Sequence, residues 1–370
     1  MSFGWNAWSP VNLGIDLAVL VFSAIVQWRT VAARHPGGFP PAPSWGAVAT
    51  LSRVAILALA PWVLGAVFLG GILGLCLLSR VMWITATVGV PLAGLYLMAK
   101  WRKPWLSALL ILPLGLKYYG EVWEPNNLEI ERVRIALPRL RDPVRLVHLS
   151  DLQTDDIRPM HLAVRAAANE FDPDFIAFTG DVLNHRSLIP EVAEYLRGFR
   201  HRRGAFFVTG NVDGILPLAS FCAQAGFEPL DGTVRVRPVG RSRVAFLGLG
   251  IADALDKALL GRLVEKAQDA DVRILLDHLP DALYIARSTT VDLLLAGHTH
   301  GGQVVTPFGP LLTLSRVPRR IAAGGLHRVD GLRVIVSRGL GLEGHIAPRL
   351  RTFARPHLLL VELVPEPTSD

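Results

Sequence analysis

With 370 residues the chain is long enough for one large domain and something more, yet its hydrophobic fraction of 51% and mean hydropathy of +0.37 are too apolar for an average soluble protein. The formal net charge of +7 is modest for that length and comes partly from Arg and Lys beside apolar runs. Nucleic-acid binding is therefore not expected, and attraction to anionic lipid headgroups is the more natural use of the charge. Two cysteines, Cys76 and Cys222, without CxxC spacing, exclude a disulfide framework and leave the redox compartment open.

The apolar surplus sits in the first third. Residues 11–28 carry Asp16 as their only charge, residues 54–79 and 81–99 carry none, and residues 104–116 continue to Gly120 across Lys117. A bilayer core takes about 20 helical residues, so the first three runs suffice and the fourth is marginal. Four membrane helices are expected over residues 1–120, with three as the alternative. A cleaved signal peptide fits the first run poorly, because no basic stretch precedes it and no small-residue cleavage site stands out. Arg29, Arg34 and Arg53 lie between the first and second runs, Lys100, Arg102 and Lys103 between the third and fourth, and little more than Arg80 between the second and third. The positive-inside rule puts the first and third loops in the cytoplasm. Four spans then place the remainder of the chain outside, which in a bacterium is the periplasm or cell exterior; three spans reverse that side.

Residues 121–143, with Pro125, Pro138 and Pro143, read as a connector, and within it residues 128–137 are a candidate edge strand. From Val144 to the end, strand-like and helix-like segments take turns. Strands are expected over residues 144–150, 175–179, 205–209, 244–249, 272–276, 291–295, 332–336 and 358–363. Helices are expected over 160–171, 190–199, 216–225, 254–268 and 280–287. That alternation argues for a layered α/β domain over residues 144–370.

Asp151, Asp181 and Asn211 each follow a strand-like segment and recur roughly 30 residues apart, the length of a strand plus a crossover helix. Crossovers of one hand bring such strand ends side by side, so three oxygen ligands converge. His278, His298 and His300 stand in the same relation to later strands. Carboxylate and carboxamide oxygens suit hard divalent ions and imidazole suits Mn, Fe or Zn, so the mixture points to a pair of metal ions. As single residues Asp151 and Asp181 would read as helix caps; the set does not.

The run Asp151-Leu152-Gln153, Gly180-Asp181, Gly210-Asn211-Val212-Asp213, His278 and Gly297-His298-Thr299-His300-Gly301-Gly302-Gln303 resembles the calcineurin-like metallophosphoesterases over roughly residues 144–363. The later Ser337-Arg338-Gly339-Leu340-Gly341 and the apolar amino-terminal third are most similar to a membrane-associated branch of that family. The resemblance implies a four-layer α/β/β/α metallophosphoesterase sandwich preceded by a helical transmembrane region. It implies two divalent metal ions (Mn, Fe, Zn or Mg), with Asp151 and His300 on the first, Asn211, His278 and His298 on the second, and Asp181 bridging them. It implies hydrolysis by metal-activated water, and places Gly301, Gly302, Arg338 and His345 near the substrate.

Two positions depart from the family's wording, which has His where this chain has Gln153 and Val212. Gln153 still offers a carboxamide oxygen as a metal ligand, with Asp155, Asp156 and His161 as nearby alternatives. Val212 removes a group that, in the family, contacts the phosphate and helps protonate the leaving group. The expected function is membrane-anchored, metal-dependent hydrolysis of a phosphodiester, pyrophosphate or phosphomonoester in a phosphorylated small molecule or lipid headgroup. The rival is a phosphate-ligand sensor that keeps the fold but has lost turnover. A transporter is disfavoured because the apolar runs lack paired charges.

Overall fold

The computed structural model describes residues 71–91, 108–343 and 347–367. These fall into two compact units, one of residues 122–343 and 350–367 and the other of the remaining described residues. In the smaller unit, α1 (Gly71–Ile84) runs into a π-helical turn at Thr85–Gly89, and α2 (Ala108–Tyr118) contains Pro113. Leu73, Leu75, Met82, Ile111, Leu112 and Leu114 are exposed on these helices. Glu121 accepts hydrogen bonds from Trp83 Nε1 and Lys117 Nζ, both at 2.6 Å. Among the described residues no helix is long and apolar enough to cross a membrane. The expected span at residues 11–28 lies outside the described residues, and of the spans at 54–79, 81–99 and 104–116 only residues 71–91 and 108–116 lie within them.

The larger unit holds two six-stranded sheets. Its strands, in chain order, are β1 (Glu129–Leu137), β2 (Val144–Leu149), β3 (Phe175–Thr179), β4 (Gly204–Val208), β5 (Glu228–Pro229), β6 (Val234–Val239), β7 (Ser242–Leu249), β8 (Val272–Asp277), β9 (Leu293–Ala296), β10 (Val305–Thr306), β11 (Gly309–Pro310), β12 (Gly325–Val329), β13 (Leu332–Val336) and β14 (His357–Pro365). The first sheet runs β1-β14-β2-β3-β4-β5 and the second β12-β13-β9-β8-β7-β6; β10 and β11 form a small separate hairpin. Strands β2, β3 and β4 are mutually parallel, as are β7, β8, β9 and β13. Helices α3 (Pro159–Phe171), α4 (Ile189–Arg197) and α5 (Leu218–Ala225) accompany the first sheet; α6 (Lys257–Lys266), α7 (Leu283–Ala286) and α8 (Arg319–Ala322) accompany the second.

Side-chain alternation explains the layering. On β3, Phe175 and Ala177 enter the core between the sheets while Ile176 and Phe178 enter the core beneath α3, α4 and α5. On β8, Ile274 and Leu276 face the inter-sheet core and Leu275 the core beneath α6 and α7. Strands buried on both faces must be apolar throughout, which is why they read as unbroken hydrophobic runs. Phe175, Phe206 and Phe246 meet between the sheets, with ring centroids 4.5 to 6.1 Å apart. Truncating one of them to Ala would cost about 3–5 kcal/mol. The result is the expected α/β/β/α order of layers.

Several boundaries differ from the sequence reading. The candidate edge strand at 128–137 forms as β1, paired parallel to β14, so the middle of the expected connector belongs to the first sheet. The helix at 254–268 shortens to α6, and that at 280–287 begins as a 3-10 turn, Pro280–Ala282, ahead of α7. Five short or charged strands, β5, β6, β10, β11 and β12, carry no unbroken apolar run and escaped expectation. On β6, Arg235 and Arg237 point to Glu228 of β5 as ion pairs at an edge, not into a core.

Candidate metal centre

Every expected ligand lies just past the carboxyl end of a parallel strand. Asp151, Asp181 and Asn211 follow β2, β3 and β4 in the first sheet; His278 and His298 follow β8 and β9 in the second, with His300 in the next turn. Two sheets, each delivering strand ends to the same rim, therefore build the centre. Ligand atoms of Asp151, Asp181 and His278 lie within 4.8 Å of one another, and all three residues are buried.

His278 is the hub. Its Nδ1 lies 2.8 Å from the Thr179 carbonyl, which fixes Nδ1 as the protonated donor and turns Nε2 toward the site. Around Nε2 stand Asn211 Oδ1 at 3.0 Å, His298 Nδ1 at 3.2 Å and Asp181 Oδ2 at 3.3 Å. On the other side His300 Nε2 lies 3.3 Å from Asp151 Oδ1. Gln153 joins this group, its Nε2 2.9 Å from Asp181 Oδ2. All seven expected ligands are thus in one cluster. Asp155, Asp156 and His161 are engaged elsewhere: Asp155 with Asn184 and His185, Asp156 with Arg158, and His161 Nδ1 with the Arg158 N–H.

The carboxylates are held by donors the sequence reading did not assign. Ser150 Oγ donates to Asp151 Oδ2 at 2.5 Å, and the His298 N–H reaches both Asp151 oxygens at 3.1 Å. The Val212 N–H donates to Asp181 Oδ1 at 2.9 Å. Asp213 is buried behind them and accepts the N–H groups of Asp181, Gly210 and Val182 at 2.7, 2.8 and 2.9 Å, fixing two of the ligand loops to each other. Beneath the site the fully buried Arg351 donates to the carbonyls of Arg338, Gly341 and Ala354. Asp213 falls within the Gly210-Asn211-Val212-Asp213 motif but, like Arg351 in an irregular stretch, has no sequence signal that separates its supporting role from a surface one.

Electrostatics follow from that crowding. Burial opposes charge on Asp151, but the His300 charge and hydrogen bond, with His278 and Ser150, outweigh it and hold the carboxyl well below the usual range. Burial likewise opposes charge on His278, yet Asp181 and Asp151 raise its imidazole to about 10. Burial, then the adjacent His278 charge, lowers His298. Burial and the neighbouring Asp181 push Asp213 up to about 7, against its three N–H donors.

Strain and orphaned atoms concentrate here. Asp151, Gln153, Asp181, His298 and His300 all adopt positive φ, from +20° to +68°. Such conformations in non-glycine residues cost about 1–3 kcal/mol each and persist where the surroundings impose them. Gln153 Oε1 is buried without a hydrogen-bond partner. Buried acceptors left this way carry a desolvation penalty that a cation would remove. The mixed set of carboxylate, carboxamide and imidazole donors fits divalent cations of the Mn, Fe, Zn or Mg kind.

The expected substrate-side residues are placed less uniformly. Gly301 and Gly302 have φ of +63° and +88°, and side chains there would meet Arg338 and Pro310, so close packing as well as backbone freedom calls for glycine. The Arg338 guanidinium pairs with Glu129 at 2.9 Å. His345 lies outside the described residues.

Residues 144–302 match the family model described as calcineurin-like phosphoesterase. The protein named uncharacterized metallophosphoesterase YkuE, of Bacillus subtilis, is 29% identical over 278 residues, spanning 66% of this chain and 88% of its own. Phosphodiesterase YaeI of Escherichia coli is 28% identical over 267 residues, 66% of this chain and 92% of its own. A Bos taurus protein named transmembrane protein with metallophosphoesterase domain is 28% identical over 286 residues, 71% of this chain and 63% of its own. Residues 144–302 thus match a calcineurin-like phosphoesterase domain, and these matches together with the ligand cluster support a metal-dependent phosphoesterase.

Proposed function

We propose that the chain is a membrane-anchored hydrolase acting on a phosphodiester, pyrophosphate or phosphomonoester, with a phosphorylated small molecule or a lipid headgroup as substrate. The observation that carries this reading is the meeting of Asn211, His298 and Asp181 atoms within 3.3 Å of His278 Nε2. Asp151 and His300, with Gln153 beside them, would hold one cation; Asn211, His278 and His298 the other; and Asp181 would lie between. Two such cations clamp a phosphate and lower the pKa of water for in-line attack.

The chain's own groups prepare that chemistry. Thr179 keeps His278 in the tautomer that presents Nε2, while Ser150 and the His298 N–H keep Asp151 ionised and oriented. His278 must give up its Nε2 proton when a cation arrives, so metal affinity should rise with pH. Val212 contributes its N–H to Asp181 but no acid to a leaving group. Substrates whose leaving group needs no protonation are therefore favoured.

Membrane attachment and an extracytoplasmic domain at a bacterial cell membrane are part of the proposal. The uncharged apolar runs of the first third and the Arg and Lys between them support it. So does the word transmembrane in the name of the bovine relative.

The full-length chain in nonionic detergent, loaded with Mn2+, should cleave bis(p-nitrophenyl) phosphate, and Asp181→Ala should abolish both turnover and metal binding. Val212 favours one other reading, a phosphate-ligand sensor without turnover. Val212→His separates the two: a large gain from near zero supports the sensor, whereas little change supports an enzyme that does not need that acid.

A further inference from the structure

A cavity of about 560 Å³ opens directly beside His298, lined by that ring and by the segment that follows the β10–β11 hairpin. Its walls include Leu311, Leu312 and Leu314, all exposed, and Leu255, just ahead of α6. Phe308, at the turn of the hairpin, is 96% exposed. Soluble surfaces scatter large apolar side chains singly; a run of them at the mouth of a polar centre marks a binding surface. Leu314 also sits at φ +48°, a conformation a leucine resists, and its carbonyl lies 3.3 Å from His298 Nε2. The strained residue thus ties the apolar wall to a metal-ligand ring.

The charges in the same cavity have one sign available. Arg316 and Arg319 line it, are exposed, and have no carboxylate partner among the described residues. Asp281, the one carboxylate in the lining, is occupied: Ser315 Oγ donates to it at 2.5 Å and the Arg316 N–H at 3.0 Å. An anionic group entering beside His298 meets guanidinium charge, and whatever is attached to it meets leucine.

We infer that this cavity takes the apolar alcohol of an amphiphilic phosphate ester, so that the substrate class is a phosphate carrying an alkyl or isoprenyl-like chain. The inference rests on the hydrolase reading above and names the substrate class of the same site. Apolar wall and cationic rim together fit one molecule with an anionic head and a hydrocarbon tail; a water-soluble phosphate would leave the leucines exposed, and an apolar ligand alone would leave the arginines unused.

Two synthetic probes test it, methyl p-nitrophenyl phosphate and octyl p-nitrophenyl phosphate, used below micelle-forming concentration with the full-length Mn2+-loaded chain in nonionic detergent. In each, the oxygen of water forms the new P–O bond, the bond to nitrophenol breaks, nitrophenolate departs with the electron pair, and the proton goes to solvent. A buried methylene is worth roughly fourfold, so burying about half of the seven extra methylenes raises kcat/KM about a hundredfold for the octyl ester. The double variant Leu311→Ser/Leu312→Ser should bring that octyl-to-methyl ratio down at least tenfold. A wild-type ratio near one with the methyl ester turned over overturns the cavity assignment and leaves the hydrolase reading standing, as does a large ratio that the double variant fails to reduce. If neither ester is hydrolysed, the hydrolase reading fails on its own. Calorimetric binding of octyl phosphate against inorganic phosphate then decides the cavity without turnover: tighter binding of octyl phosphate, lost in the double variant, supports it, and equal binding overturns it.

Discussion

Replacing Gly210 by Ala should separate the metal centre from the rest of the fold. A Cβ built at Gly210 would overlap Asp181 Oδ1 and would lie 2.6 Å from the Asp181 nitrogen and 2.9 Å from its Cγ. Neither neighbour is free to retreat, because the Asp181 N–H is tied to Asp213, Oδ1 to the Val212 N–H and Oδ2 to Gln153 and His278. Restoring van der Waals separation means moving the carboxylate by roughly an ångström. Overpacking of that kind costs about 1–3 kcal/mol. Metal sites tolerate only about 0.2 Å of ligand displacement, so Mn2+ affinity should fall at least tenfold to a hundredfold. The matched control is Gly261→Ala in α6, where a Cβ meets nothing within 4 Å and a helix-interior glycine becomes alanine. That change should stabilise the chain by about 0.5–1 kcal/mol. Urea unfolding in EDTA reads the stability and calorimetry with Mn2+ reads the affinity. The reasoning is wrong if Gly210→Ala matches Gly261→Ala in stability to within about 0.5 kcal/mol and binds Mn2+ within about threefold of wild type.

Other consequences follow from buried groups. Burial holds His148 and His161 to about 3, so each stays neutral in the fold while the unfolded chain takes up a proton below about 6.5. The unfolded state then binds more protons between those values, and stability in EDTA should drop as pH falls through 6 to 4, by about 1.4 kcal/mol per unit for each imidazole; His161→Phe should reduce the slope by about that amount. Arg351→Met should destabilise the fold by about 3 kcal/mol or more, because three buried carbonyls lose their donor, and a urea midpoint within experimental error of wild type would refute this. Burial also pushes the Cys222 thiol up to about 12, so mass spectrometry should find Cys222 unlabelled by iodoacetamide in the native chain and labelled in urea.

The centre is legible in the sequence for a physical reason. Parallel strands buried on both faces are largely apolar, so the polar residue one to three positions past each one, Asp151, Asp181, Asn211, His278 or His298, stands out against the run before it. Of the two strands whose bounds match expectation, β3 is buried throughout, whereas β13 carries the half-buried Arg333. What supports the ligands is not legible, because it depends on contacts between distant turns. Asp213 looks like any loop aspartate until its three N–H partners are known, and Arg351 like any surface arginine until its carbonyls are. Gln153, ambiguous as a turn residue, is settled as a neighbour of Asp181 only by geometry. Edge strands such as β6 fail for the opposite reason: one face is wet, Arg235 and Arg237 interrupt the hydrophobic pattern, and pairing with β7 supplies what the pattern does not.

The central claim is that side chains from two sheets gather a pair of cations that hydrolyse a phosphoester. Metal analysis of the full-length chain, run beside a bis(p-nitrophenyl) phosphate assay on the same sample, tests it most directly. The expected result is two divalent ions per chain and turnover that EDTA removes and Mn2+ restores, with both lost in Asp181→Ala. Fewer than one ion per chain after Mn2+ loading, or turnover that survives EDTA and the substitution, would contradict it.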